Sequence, residues 1–134
     1  MKTHRVQSGM AVVETMVAIL VFSFGILGIV GLLAASMKHS AEAKYRTVAS
    51  NLAGQLAGEM WVADKSALAT AFESPDGDQY AAWRDKVRAA LPGAADNAPT
   101  VAIDDSVATI TVRWQAPGEA AHSHVLVARI GEGI

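Results

Sequence analysis

Apolar residues fill the N-terminal part of the chain almost without interruption. After a short polar leader, one carboxylate, Glu14, stands near the start of this stretch, and no charged residue occurs from Thr15 to Met37. As a helix these 23 residues, at about 1.5 Å each, would exceed the roughly 30 Å hydrocarbon core of a bilayer. The pattern therefore predicts a helix over residues 10–37 that spans a membrane once.

Beyond Met37 the apolar residues become periodic rather than continuous. They recur every three or four positions, and most charged residues lie between them; the recurring positions are Ala41, Tyr45, Val48, Leu52, Leu56 and Met60. Such spacing is typical of an amphipathic helix. We therefore expect the helix to continue over residues 38–63, with an apolar stripe that a folded domain must cover.

Residues 64–134 predict that domain. A polar, turn-prone stretch comes first, and an amphipathic helix is expected from about Gln79 to Leu91, with Trp83, Val87 and Leu91 on its buried face. Three strand patterns follow, over Thr100–Asp104, Val107–Gln115 and His122–Ile130.

Short turns around Asp105 and Gly118 join these strands, which predicts an antiparallel meander. The expected fold class is α+β, with a long N-terminal helix packed on a small antiparallel sheet.

Composition excludes some classes of partner and bond. The formal net charge is -2 and the sequence pI is about 6.0, so there is no electrostatic case for binding nucleic acid directly. The chain has no cysteine, so neither a disulfide framework nor a thiolate metal site can form. We expect the folded part to depend on packing.

Glu14 is the most informative residue of the apolar stretch. A charge inside a membrane helix costs roughly 2.5 to 3.5 kcal/mol on insertion scales, so an intramembrane carboxylate suggests a functional site with a specific partner. The alternative is that Glu14 lies at the bilayer interface and reaches water. That alternative leaves the Gly9 junction unexplained.

The junction itself resembles the class III signal of type IV pilins and type II secretion pseudopilins. A leader with Lys2 and Arg5 ends in Gly9, a hydrophobic residue follows, and Glu14 stands fifth after the glycine in Met-Ala-Val-Val-Glu. The resemblance implies that residues 1–9 are a leader peptide removed by a prepilin peptidase. It also implies that Met10 becomes the N-methylated terminus, although Phe is common there, and that Glu14 meets the terminal amine of a neighbouring subunit.

Other parts of the chain resemble one subfamily, the minor pilins called type IV pilus modification proteins (PilV). The similar parts are the run Leu20–Gly28, Trp83, Leu91-Pro92-Gly93 and the Thr-Val-Arg-Trp ending at Trp114. This resemblance implies a subunit that helps prime pilus assembly at the inner membrane and is incorporated at or near the fibre tip. The C-terminal domain would lie in the periplasm and later on the cell-surface pilus. The implied partners are other minor pilins and the major pilin, through the N-terminal helix, together with the pilus assembly platform and a tip adhesin.

Three glycines recur at every third position within the predicted span, namely Gly25, Gly28 and Gly31. Small residues let membrane helices approach closely, so these glycines predict a packing stripe or a flexible point. The alternative is a run of ordinary membrane glycines, because glycine is frequent in such helices.

Catalytic and metal-binding alternatives have less support. His122 and His124 would face the same side of a strand, but a catalytic zinc site needs three protein ligands and no third is evident. Asp76-Gly77-Asp78 lacks the later glutamate of a calcium loop, so a surface turn is favoured. We expect no enzyme activity, no metal and no cofactor.

Four other interpretations remain open. They are a type II secretion pseudopilin, a signal peptide cut near Ala34–Ser36, a single-pass membrane-anchored enzyme and a membrane-anchored interaction module.

Overall fold

The computed structural model describes residues 8–130, and the chain divides into two units, residues 1–41 and 42–134. The first helix, α1, covers Ser8–Val62 and contributes to both units. A 3₁₀ turn follows at Lys65–Ala67, and the remaining elements are α2 (Leu68–Phe72), α3 (Asp78–Ala90), β1 (Thr100–Asp104), β2 (Val107–Trp114) and β3 (His122–Arg129). The expected α+β fold, with a long N-terminal helix packed on a three-stranded antiparallel sheet, is confirmed.

The described part of the first unit, residues 8–41, is helical throughout. Two of its polar side chains are satisfied within the helix itself: the Thr15 hydroxyl donates to the carbonyl of Ala11 at 2.8 Å and the Ser23 hydroxyl to that of Ile19 at 2.7 Å. Such bonds to the preceding turn let hydroxyl groups stay in an apolar helix without a partner from elsewhere.

The second unit forms its core on one face of α1. The fully buried positions of this face include Leu56 and Met60, as the periodicity predicts, but also the small residues Ala49 and Ala53. Tyr45, Val48 and Leu52 are only partly buried and flank the core. Ala49 and Ala53 belong to the same buried cluster as Trp83 and the inward residues of β2. The buried stripe therefore includes small side chains that the spacing of the larger apolar residues does not reveal.

Helix α3 covers part of this face with aromatic residues. Trp83 and Val87 are buried, as expected, and Leu91, just beyond the end of the helix, is buried too. The Trp83 indole Nε1 donates to the carbonyl of Leu52 at 2.9 Å, which ties α3 to α1. The Tyr80 hydroxyl donates to the carbonyl of Pro99 at 2.8 Å, which ties α3 to the start of the sheet.

The sheet is the predicted antiparallel meander, in the order β1-β2-β3. Strand β2 lies in the centre and its residues alternate strictly between buried and half-buried; the buried ones are Ala108, Ile110, Val112 and Trp114. This alternation places one face of the sheet on the core. The β1–β2 turn uses Asp105 at φ 54°, a left-handed conformation that a short polar residue tolerates.

The segment between α1 and α3 differs from the turn-prone stretch that the sequence predicts. Leu68 and Phe72 of α2 are buried in the core. At the end of α1, the Lys65 ammonium donates to the carbonyls of Met60 at 3.0 Å and Trp61 at 2.8 Å, which satisfies carbonyls that the helix leaves unpaired. Asp64 caps the 3₁₀ turn, and hydrogen bonds from the Ser66 backbone N–H and hydroxyl lower the pKa of its carboxyl.

Two glycines are required by this fold. At Gly77, just before α3, a Cβ atom would collide with the backbone of Ala71. At Gly93, with φ 66°, a Cβ atom would lie 2.6 Å from the carbonyl oxygen of Gln115. Asp76-Gly77-Asp78 therefore forms a turn into α3 in which the glycine permits close packing.

Replacing Tyr80 with phenylalanine tests the link between α3 and the sheet. Tyr80→Phe leaves the buried Pro99 carbonyl without its donor, so the free energy of unfolding should fall by about 1–3 kcal/mol. Tyr45→Phe is the matched control, because the half-buried Tyr45 hydroxyl makes no hydrogen bond with a described residue. Denaturant titration of the detergent-solubilised chain, followed by tryptophan fluorescence, measures both; an equal loss in the two variants would contradict the prediction.

Candidate functional site

The first half of α1 is an apolar surface that the rest of its own unit does not cover. Every residue from Gly9 to Ser40 is exposed, and the large apolar side chains from Met10 to Met37 are 47% to 73% exposed. Exposed apolar patches larger than a few hundred Å² mark membrane or protein contacts. By length and composition this helix could cross a membrane, with a mean hydropathy of 2.7 in its most apolar window. It could therefore serve as a membrane anchor.

The predicted cleavage junction lies in the described part of α1. Gly9 and Met10 are both helical and exposed there. The leader residues 1–7, including Lys2 and Arg5, lie outside the described part of the chain.

Glu14 lies one helical turn beyond Met10 and is exposed. Four residues correspond to about 6 Å along the helix axis, on the same face. No hydrogen bond or ion pair joins Glu14 to another residue in the range 8–130, whereas the neighbouring Thr15 hydroxyl is satisfied by Ala11. In the described chain, Glu14 is the only ionisable side chain between Met10 and Met37. A partner for its carboxylate would have to come from outside residues 8–130.

The glycines of the span differ from those that the fold requires. A Cβ atom added at Gly25, Gly28 or Gly31 would meet no atom within 4 Å. No contact among the described residues therefore needs a glycine at these positions, in contrast to Gly77 and Gly93. Open space beside them is available to a neighbouring helix, which could approach the backbone closely.

A shallow apolar groove runs along the same half of α1. Its lining consists of Met16, Ile19, Leu20, Ser23, Phe24 and Leu27. Ridges and grooves of this kind accept the side chains of a second helix. The site is therefore a helix surface with a carboxylate near one end, rather than a pocket for a small molecule.

The histidine pair has a structural environment. His122 and His124 are half-buried on the face of β3 that points to the core. The His122 ring stacks on Trp114 with centroids 5.9 Å apart, and its Nε2 atom lies 3.8 Å from Glu42 Oε1. Among residues 8–130 no three side chains of the metal-binding types are placed to hold one ion. These contacts join β3 to the helix and the central strand.

Comparison of the chain with protein-family models, with curated proteins and with solved structures found no match.

A bulky residue at Gly28 tests whether the glycine stripe is a packing surface. Because nothing lies within 4 Å of this position, Gly28→Leu should leave the stability of the second unit unchanged. In lipid vesicles it should weaken helix–helix association at least five-fold, since a large side chain separates the two backbones. Energy transfer between labelled chains measures association, and Val30→Leu, on an exposed apolar residue of the opposite helix face, is the control. Equal association of both variants would show that the glycines do not pack against a neighbour.

Proposed function

We propose that the protein is a minor pilin of a type IV pilus. In this proposal a prepilin peptidase cuts after Gly9 and methylates the amine of Met10, and α1 anchors the subunit in the inner membrane with residues 64–134 in the periplasm. The subunit then helps prime pilus assembly and enters the fibre at or near its tip. Its partners are other minor pilins, the major pilin, the assembly platform and a tip adhesin.

One observation carries the proposal: an uncovered apolar helix holds a single carboxylate, Glu14, five positions after the glycine of a pilin-type junction. A charge in this place would destabilise a simple membrane anchor, because burying the carboxylate in lipid costs free energy. A cut after Gly9 supplies the opposite charge, since the new amine of Met10 forms at the same end of the helix.

The charge pair sets the relative position of two subunits. Glu14 lies about 6 Å along the helix from the Met10 amine of its own chain. In a parallel neighbour displaced by about one helical turn, the amine of one chain would lie beside the carboxylate of the other. Two such charges are costly when separated in an apolar environment and tolerable when paired. The pair therefore selects one register among many helix contacts of similar apolar character.

Packing of the helix gives little net driving force for extraction from the membrane. Lipid tails and apolar side chains solvate the first half of α1 about equally well, so the exchange of lipid for protein contacts is roughly even. An external motor must supply direction to assembly. The apolar surface and the glycine stripe would decide which neighbours fit, and Glu14 would decide their register.

Processing at the Gly9–Met10 bond is the first test. When the chain is expressed with an active prepilin peptidase, intact mass and N-terminal sequencing should show a chain that begins at N-methylated Met10. A peptidase with an inactivated site should leave the leader in place. Gly9→Val should block the cut because the side chain fills the place of a glycine, and Ser8→Ala should not. An uncut chain, or a cut near Ser36, would refute the proposal.

Glu14 should be needed for the association of processed subunits but not for cleavage after Gly9. Glu14→Gln keeps the size of the side chain but removes its charge, so the variant should be cut normally yet crosslink to partner pilins at least ten-fold less in membranes. Thr15→Val is the matched control, because it removes a polar group that is already satisfied within the helix. Unchanged crosslinking of Glu14→Gln would show that the carboxylate does not set subunit register.

A further inference from the structure

The two edges of the sheet differ in how their backbone groups are used. At the β1 edge, the Ser74 N–H donates to the carbonyl of Val101 at 3.1 Å, and the Ser74 hydroxyl donates to the same oxygen at 2.9 Å. The Val101 N–H lies 3.2 Å from the Ser74 hydroxyl oxygen and donates to it. The outward N–H and C=O of Val101 are therefore occupied by the segment that leads to α3, and a strand added at this edge would have to displace Ser74.

The β3 edge is open. Ile130 donates its N–H to the carbonyl of Ser106 at 2.7 Å, so the even-numbered residues of β3 bond to β2 in the observed register. The N–H and C=O groups of the odd-numbered residues then point away from the sheet; these residues are Ser123, Val125, Val127 and Arg129. No other described residue forms a hydrogen bond with these groups. An edge of this kind is a template for another strand.

The side chains of β3 are also incompletely covered. No residue of β3 is fully buried, although β2, beside it, alternates with four buried positions. On the core side Leu126 and Ala128 remain half-buried, and on the opposite side Val125 and Val127 are 53% and 62% exposed. A further strand would cover both sets at once. The strand has no proline and no lysine, the residues that proteins commonly use to protect an edge.

Charge indicates which kind of strand fits. β3 carries Arg129 and two histidines and no acid, and Arg129 forms no ion pair with a described residue. Arg113 lies opposite Ser123, at the other end of the same outer face. If β3 paired with β3 of a second copy about a two-fold axis, Val125 of one copy would lie opposite Val127 of the other. Arg129 of each copy would then lie beside Ser123 of the other, in line with its Arg113. This pairing would place like charges together and would bring no acidic residue. A second copy is therefore disfavoured and an acidic segment is favoured.

We propose that the open edge of β3 binds an extended segment of a partner protein as a fourth strand, with apolar residues beside Val125 and Val127 and a carboxylate near Arg129. Backbone hydrogen bonds give affinity for any extended segment, and contacts with alternate side chains of the segment give specificity. This inference is independent of the proposed pilus function, because it uses only the second unit of the chain.

The test uses the full chain in lipid nanodiscs and a defined peptide. The peptide is as long as β3, 8 residues, with alternating valine and threonine and a glutamate at each end. Amide hydrogen exchange, measured by NMR, should slow at least ten-fold at Ser123, Val125, Val127 and Arg129, and not at the amides already bonded to β2. Lysine in place of the two glutamates should weaken binding at least five-fold.

Two controls separate backbone pairing from other contacts. Val125→Pro removes an outward N–H that β2 does not use, whereas Val125→Ala removes most of the same side chain and keeps the N–H. The proline variant should lose binding at least ten-fold and the alanine variant less than three-fold. If Val125→Pro does not fold, a peptide with methylated alternate amides makes the same distinction without changing the protein.

Three outcomes would overturn the proposal. One is no slowing of exchange at about 2 mM peptide, and the second is equal slowing by the methylated peptide, which would indicate contacts through side chains alone. The third is protection of these amides from exchange in the absence of peptide, if the protection increases with protein concentration and the mass doubles. That result would make a second copy the occupant.

Discussion

The packing of α3 and the sheet on the second half of α1 is the contact on which the folded unit depends. Ala49 and Ala53 are fully enclosed in this contact, and Leu56 and Met60 continue the buried stripe. Trp83 fixes the distance further, since its indole N–H must reach the carbonyl of Leu52. A unit of this size has a small core, and larger side chains at the alanine positions would force the layers apart. The helix is therefore both the scaffold of the domain and one wall of its core.

The same helix meets two different requirements for burial along its length. Its second half is covered by its own chain, whereas residues 10–37 present apolar side chains that only lipid or another protein can cover. The glycines follow this division. Gly77 and Gly93 are needed by contacts inside the folded unit, while Gly25, Gly28 and Gly31 face open space. Under the proposed function, these three glycines and Glu14 belong to one contact surface. The glycines let a neighbouring helix approach closely, and the charge of Glu14 sets the offset of that helix along α1.

Sequence periodicity predicts most of this fold, because the second half of α1, α3 and β2 each bury one regular face, and β3 alternates between half-buried and exposed residues. It does not predict α2, since a helix of 5 residues is too short to show a period, although Leu68 and Phe72 are buried. The alanine centre of the α1 stripe is also missed, because alanine is weakly apolar and common on both faces of helices. At the candidate site, the pattern predicts Gly9, Met10 and Glu14, and this stays a prediction. The pattern does not say which group would pair with the Glu14 carboxylate, since no residue in the range 8–130 does so. The difference between the two sheet edges depends on a contact of β1, between Ser74 and Val101, 27 residues apart, that no local pattern reveals. The open edge of β3 has a local signal, because apolar residues occur at both odd and even positions of Val125–Ala128.

The hydroxyl of Ser74 has a consequence for the number of molecules that can join through the sheet. Because Ser74 occupies the Val101 groups of the β1 edge, the proposed strand addition would be favoured at β3 only. Each molecule would then accept one strand, and pairing would end with a single partner instead of propagating. A sheet closed at one side is protected against the unlimited stacking that leads to fibrillar aggregates. A side chain in the loop before α3 thus limits stoichiometry at a distance from the surface where a partner would bind.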